Sequence, residues 1–352
     1  MRPKIADVAV HAGVAASTVS AVLNGKQGVS EATRAKVEQS IKELNYKRHA
    51  GARALRAGTT NIIALDDPFY DWSPGAVHTR YAYGHMPYVY GVVDAARRHG
   101  WNTILVAGRN GATALEEVVD ARMVDGIVLL EVRDQDERLK AIERRTVPAV
   151  AIGMPLQPTN VPFVDFDFDE AGRLCVEHLV HLGHRHIGLL ASPSGTFEKG
   201  LVYARRLWQA IEATLQEAGL PFRGLPMEPD VDGVLKTLDV LFDEEPAISA
   251  LIVNNEGMID VLMQALRERH KEVPADVSVI AVGWSWLTKH VVPALARVNV
   301  PAMEMGLEAI NLLARGGPSK LLPAALVEGG TLAPPPTRAR PSSRPPKRRL
   351  LS

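Results

Sequence analysis

From residue 61 onward the chain alternates short apolar runs with segments of helical spacing, and few folds accept that alternation. The runs fall at 62–65, 103–107, 126–130, 149–152, 187–191, 250–253 and 277–282. Between them, at 89–99, 115–123, 171–182, 203–218 and 258–269, apolar residues recur with the period of one helix face. Gly100, Gly183 and Gly219 stand just past three of these segments, where helices end in a left-handed residue. Strands that are apolar throughout, each followed by a helix, belong in parallel sheets covered on both faces. Residues 61–330 are too many for one such sheet, so two doubly wound lobes are expected.

The first 60 residues follow another pattern. Ile5, Val8, Ala9 and Ala12 are spaced along one face of a helix that Gly13 ends, and Val14, Thr18, Val19, Val22 and Leu23 give a second, stopped by Asn24-Gly25. Ser30 is placed to cap a third, with Glu31 in the first turn, where the helix dipole favours an acid; Val37, Ile41 and Leu44 line its inner face up to Asn45. Charge divides the chain along the same line. Lys/Arg and Asp/Glu number 40 each, yet residues 1–60 hold ten basic and four acidic side chains, and residues 333–352 six basic and none acidic. The 272 residues between carry a net −12. A basic head and tail on an acidic body point to a polyanion met by the ends alone. Residues 331–352, rich in Pro, Arg and Ser, read as a disordered basic tail, either solvated or adding non-specific contacts to DNA.

Residues 5–56 carry a dense set of motifs: Ala6-Asp7-Val8-Ala9, Ala12-Gly13-Val14, Ser17-Thr18-Val19-Ser20, Val22-Leu23-Asn24-Gly25, Val29-Ser30, Thr33-Arg34, Glu43-Leu44-Asn45-Tyr46 and Ala52-Arg53-Ala54-Leu55-Arg56. In these the chain resembles the DNA-binding head of the LacI/GalR family of bacterial transcription regulators. The resemblance implies an all-α helix-turn-helix head at 1–48 and a hinge helix and linker at 49–60. Ala9, Ala12 and Gly13 are small enough for two helices to cross closely, and Val19, Val22 and Leu23 suit the core between them. Ala16, Ser17 and Ala21 take the base-reading positions, and Ser17, Thr18 and Ser20 offer short hydroxyls to phosphates or base edges; capping is the rival role for Ser17 and Thr18. Ile5, Asn24, Ser30, Thr33, Arg34, Tyr46 and His49 complete the DNA-facing set. Relatives often carry arginine where Ala21 stands; alanine cannot grip guanine but can touch a thymine methyl, so a different operator is expected. Leu55 matches the leucine that wedges into the minor groove, with Arg53 and Arg56 on the flanking backbone; the rival reading is an ordinary amphipathic linker. Arg48-His49 replaces a Pro-Asn pair common in the family.

Further along, Val124-Asp125-Gly126-Ile127-Val128, Leu182-Gly183-His184-Arg185-His186-Ile187, the run from Val273 to Ile280, and Met305-Gly306 match landmarks of the family's body. This implies a periplasmic-binding-protein-like α/β body at 61–330, with lobe one at about 61–161 and 287–322 and lobe two at about 162–286 and 323–330. A small effector, a sugar or a related molecule, is then expected between the lobes at the carboxyl ends of the strands. The arginine that grips its hydroxyls maps to Arg205 or Arg206, and the Asn-Asp pair to Asn255-Glu256. A further aspartate falls at Ser285, which loses that carboxylate. Tyr70, Trp72, Trp284 and Trp286 fit either stacking on a ring or ordinary packing. His184 and His186 read as helix-end and strand-start residues rather than metal ligands.

Other classes find little support. Neither nucleotide-binding glycine fingerprint nor a Gly-x-Ser-x-Gly elbow is present. Asp165, Asp167 and Asp169 alternate as in a calcium loop but lack its glycine and terminal glutamate. Cys175, the one cysteine, sits mid-helix, precludes an internal disulfide and suits a reducing compartment. Neither an apolar run of membrane-spanning length nor a secretory signal is seen. The expectation is a non-enzymatic, sequence-specific regulator, a repressor, located in the cytoplasm at the nucleoid. Its partners would be a near-palindromic duplex operator, a small effector and a second copy of itself, as a homodimer or a tetramer; no cofactor, metal or membrane is implied. An effector-independent architectural DNA binder is the first alternative and a stand-alone sugar-binding protein the second.

Overall fold

The computed structural model describes residues 3–47, 58–67, 84–106, 111–283 and 291–337, and forms two units, 1–61 and 62–352.

The first unit is three helices: α1 (Ile5–Ala12), α2 (Ala16–Leu23) and α3 (Glu31–Glu43). Gly13 ends α1 at φ 65°, a conformation that costs an L side chain, and the chain then turns so that α2 runs at 104° to α1. That is the angle of a helix-turn-helix. Val8, Ala9, Val19, Val22 and Val37 form the buried centre, and the expected Ser30 cap is present, its hydroxyl accepting from the Thr33 amide at 3.3 Å. A polar tie adds to it: His11 Nδ1 meets Ser40 Oγ at 3.1 Å and Nε2 meets Glu43 at 3.5 Å, joining α1 to α3.

The second unit has two six-stranded sheets. The first is ordered β11-β5-β4-β3-β1-β2, from β1 (Ile62–Asp66), β2 (Asn102–Val106), β3 (Gly126–Leu129), β4 (Ala149–Ile152), β5 (Phe163–Phe166) and β11 (Lys320–Leu322), all parallel. The second is ordered β12-β10-β9-β8-β6-β7, from β6 (Ile187–Ala191), β7 (Arg223–Pro226), β8 (Ala250–Val253), β9 (Ser278–Gly283), β10 (Ala296–Asn299) and β12 (Leu326–Val327). Only β12 runs antiparallel there. Every residue of β3, β6, β8 and β9 is buried, as two-sided helix cover demands. The covering helices include α4 (Met86–Arg98), α5 (Gly111–Asp120), α6 (Glu137–Glu143), α7 (Phe168–His181), α8 (Ser194–Glu198), α9 (Val202–Glu217), α10 (Val231–Glu244), α11 (Ile259–Glu268) and α12 (Ala302–Arg315). Helices α4 and α12 cross backbone to backbone: a Cβ on Gly91 would clash with the Met303 carbonyl, and one on Gly306 with the Tyr88 carbonyl.

The doubly wound two-lobed architecture follows the expectation; the boundaries do not. Residues 163–166, expected in lobe two, pair with β4 and β11 in the first sheet, and residues 296–299, expected in lobe one, pair with β9 in the second. Residues 331–337, expected to belong to the disordered tail, are placed in the structure instead. Thr331 is fully buried; its hydroxyl accepts from the Ala296 amide at 2.9 Å and donates to the Val279 carbonyl at 2.7 Å. Ala333 is held too: its carbonyl accepts from His184 Nε2 at 2.9 Å, and its amide meets Ser278 Oγ at 3.0 Å. Because that carbonyl only accepts, His184 carries its proton on Nε2, leaving Nδ1 to accept from Ser249 Oγ at 2.8 Å. Residues 338–352 lie outside the described residues.

Two outcomes follow. Thr331→Val strands a buried amide and a carbonyl and should cost ~1–3 kcal/mol in urea unfolding. Burial holds His184 below the usual histidine range despite the Ala333 bond. The unfolded chain therefore binds the extra proton, and this contribution is full above a pH of about 6.5 and lost as pH falls toward the depressed folded value. The stability gap between the chain and His184→Gln should narrow between about pH 7.5 and 5, read as paired urea midpoints.

Candidate DNA-reading surface and interlobe cleft

In the first unit the reading positions converge on α2. Ala16 and Ser17 are exposed in its first turn, Thr18, Ser20 and Ala21 are half-buried, and Asn24 is exposed just past its end. Ala15 is the N-cap and offers no side-chain acceptor, so neither Ser17 nor Thr18 caps the helix; the Thr18 amide turns back to the Ala15 carbonyl at 2.9 Å, and the Ala16 and Ser17 amides are left for an outside acceptor such as phosphate. Asn24 Nδ2 donates to Ser20 Oγ at 3.3 Å. Arg34 Nη2 donates to the Lys26 carbonyl at 3.3 Å and so braces the turn between α2 and α3, while Ser30 and Thr33 share a hydroxyl contact at 2.8 Å. Ile5 and Tyr46 pack against the small core. His49, Arg53, Leu55 and Arg56 lie outside the described residues.

In the second unit a cleft with a cavity of about 70 Å³ opens at the carboxyl ends of both sheets. From the first sheet come Glu131, Ile152 and Asp165; from the second, Ser192, Asn254 and Gly283; His85, Tyr88, Phe168 and Tyr203 add rings. This is the place where parallel sheets bind ligands. The expected arginines do not line it. Arg206, 5% exposed, gives its guanidinium to Asp165 at 2.6 Å and to Asp169 at 2.5 Å, with Asp167 at 3.8 Å. The alternating aspartates thus surround an arginine. Burial drives the Asp165 carboxyl up to about 6, against the pull of Arg206 and two amides. Arg205 pairs instead with Asp134 at 3.1 Å across the two lobes. It joins a clasp in which the Asp134 amide donates to Gly200 O at 2.9 Å and the Val202 amide to Val132 O at 3.2 Å.

Of the expected Asn-acid pair, Asn255 is turned inward, its amide donating to Met227 O at 2.9 Å; its neighbour Asn254 reaches the lining, accepting from Ser192 Oγ at 2.6 Å. The side chain of Glu256, and Tyr70, Trp72, Trp284, Trp286 and Ser285 entire, lie outside the described residues. The sequence reading missed a charged cluster beside the cleft. His85 meets Glu131 at 3.1 Å and Asp67 at 3.6 Å, and buried Arg138 holds Asp66 at 2.6 Å and Asp136 at 2.7 Å. Burial pushes Glu131 and Asp66 upward; it pushes Asp136 up too, but the Arg138 bonds prevail and hold that carboxyl low. The place of Glu131, just past an apolar run in a βα unit, was the available signal. Cys175 is buried and its thiol pushed far up by burial, which leaves it unreactive.

A helix-turn-helix unit followed by a two-lobed body with a cleft at its strand ends defines a DNA-binding transcription regulator. The description of bacterial regulatory proteins of the lacI family matches residues 4–49, and that of a periplasmic binding protein-like domain matches residues 176–332. The chain is 30% identical over 329 residues to the HTH-type transcriptional regulator CelR of Thermobifida fusca, across 89% of this chain and 91% of that one. It is 28% identical over 322 residues to catabolite control protein A of Priestia megaterium, across 90% and 92%. Among solved structures it matches the Lac repressor dimer bound to operator and the anti-inducer ONPF with a TM-score of 0.77 at 25% identity, covering 95% of this chain and 100% of that one. It matches a CelR–cellobiose complex with a TM-score of 0.65 at 27% identity, covering 94% and 100%. The chain belongs to the lacI family of bacterial regulatory proteins.

The Arg206 arrangement has a measurable consequence. Arg206→Ala leaves Asp165 buried without its counter-charge and should cost ~3–5 kcal/mol in urea unfolding.

Proposed function

We propose that this chain is a repressor that binds a near-palindromic operator as a dimer and changes its DNA affinity when a sugar enters the interlobe cleft. The carrying observation is the 104° helix pair with an uncapped, exposed first turn on α2, in a chain that also has a cleft at the strand ends. Two heads related by a two-fold axis match two half-sites. An effector that prefers one lobe arrangement shifts the population, and linkage carries that shift to the DNA. Cellobiose in the CelR complex and ONPF in the Lac repressor complex support a sugar-like effector. The resemblance of residues 50–56 to a hinge assigns Leu55 to the minor groove, Arg53 and Arg56 to the backbone, and Ala16, Ser17 and Ala21 to base edges. No catalytic role is assigned, and the site of action is the nucleoid in the cytoplasm; among the described residues no single helix is long and apolar enough to cross a membrane.

A second reading has an observation behind it. Arg205 and Arg206 are both occupied by acids of the chain itself, which favours an effector-independent DNA binder. Selecting bound duplex from a random pool, then titrating sugars onto the selected site, separates the two. A palindromic consensus released or tightened by a sugar supports the repressor; a consensus indifferent to every sugar supports the second reading; no consensus overturns both. Leu55→Ala should weaken operator binding on the order of tenfold without moving the thermal midpoint, measured by fluorescence anisotropy.

A further inference from the structure

The charges around the cleft are used unevenly. Arg206, Arg138 and Arg205 each hold carboxylates of the chain. On the lining, among the described residues, two carboxylates, Glu131 and Asp165, stand with one imidazole, His85. That ring is already shared between Glu131 Oε1 and Asp67. The second oxygen of Glu131, Oε2, is buried and has no hydrogen-bond partner. Its backbone is in the left-handed region at φ 58°, and the residues after it are clasped to the second lobe through Val132 and Asp134, which holds the main chain that carries the carboxylate. A buried acceptor without a donor is costly, and more so when it is charged. A hydroxyl supplies one neutral donor; an ammonium supplies three donors and the opposite charge, and charge-assisted bonds are about twice as strong. Burial pushes the Glu131 carboxyl upward even though His85, Arg138 and Lys199 pull it the other way, so a further cation at Oε2 relieves more than a neutral group does. Beside them, the tilted rings of Phe168 and Tyr203, 5.4 Å apart, with Tyr88, offer apolar faces to a pyranose.

We propose that Glu131 determines specificity in the cleft by selecting an amino sugar, a protonated amine on a pyranose ring, over its neutral counterpart. This rests on the reading of the cleft as a sugar-effector site.

The test is a thermal-shift titration of the full chain with two matched series. One is glucose, glucosamine and N-acetylglucosamine; the other is cellobiose and the β-1,4-linked disaccharide of glucosamine, free and N-acetylated. Spermidine is the amine without a ring. The expected result is that a free-amine sugar binds at least tenfold tighter than its hydroxyl and acetylated partners. Glu131→Gln should remove that preference, its ligand-free midpoint reporting that it folds. Should it not fold, the ligand comparison on the unsubstituted chain decides. Equal binding of neutral and amine sugars overturns the inference and leaves the sugar-effector reading standing. A shift with spermidine but with none of the sugars, or no shift at all, overturns the inference together with that reading.

Discussion

The chain passes between its two sheets three times, and that connectivity governs how the body behaves. It leaves the first sheet after β5, returns from β10 through α12 to β11, and crosses again to end as β12 in the second. Neither lobe is a continuous segment, so neither can fold or drift away alone. Motion is restricted to rotation about the crossings, which is the motion a cleft between lobes needs. The same constraint explains why the last crossing is fastened so firmly. With β12 only two residues long and antiparallel, Thr331, Ala333 and His184 supply the bonds that a longer strand would have made.

Within that frame, buried charge is distributed by one rule: in a poorly solvated interior an arginine is tolerable when carboxylates surround it. Arg206 and Arg138 each sit among acids at the carboxyl end of the first sheet, where burial alone would drive those carboxyls up. The consequence is chemical. Guanidinium donors that resemblance assigns to an effector are spent on the scaffold, and the cleft is left richer in acceptors than in donors. The three-helix head follows the opposite rule, its excess of basic side chains having no acids of its own to meet.

What was legible in the sequence tracks what the sequence had to encode locally. Strands β1, β3, β6, β8 and β9 are buried on both faces along nearly their whole length and are apolar but for Asp66 and Ser278 at two strand ends, so their runs stand out. Strands β7, β10 and β12 lie at or near an edge and read Arg-Gly-Leu-Pro, Ala-Arg-Val-Asn and Leu-Val, which no periodicity marks. Lobe membership depends on pairing between distant segments, such as Lys320 with Val164, and composition carries no trace of it. In the head, Gly13, Asn24-Gly25 and the Ser30 cap are local signals, and all three helices were placed. In the cleft, residue type identified Arg206 and Asn255 as candidates. Which way each side chain turns is a tertiary outcome: Asn254, not Asn255, reaches the lining, and three aspartates claim Arg206. His85 comes to Glu131 from outside any recognisable motif.

The interlobe clasp sets a scale for regulation. It consists of two main-chain hydrogen bonds, from Asp134 to Gly200 and from Val202 to Val132, and the half-exposed Arg205–Asp134 pair. Gly200 is at φ 70°, a conformation that L side chains rarely adopt, and a Cβ there would also push the Asp134 carboxylate aside. At ~1 kcal/mol for each hydrogen bond and at most ~1 for the exposed pair, the clasp favours this lobe arrangement by ~2–3 kcal/mol. That corresponds to a bias of ~30- to 150-fold. A ligand indifferent to lobe arrangement leaves this bias untouched however tightly it binds. A ligand that touches Glu131 presses on the residue next to the clasp, so its differential affinity has a direct mechanical route to the contacts that hold the lobes.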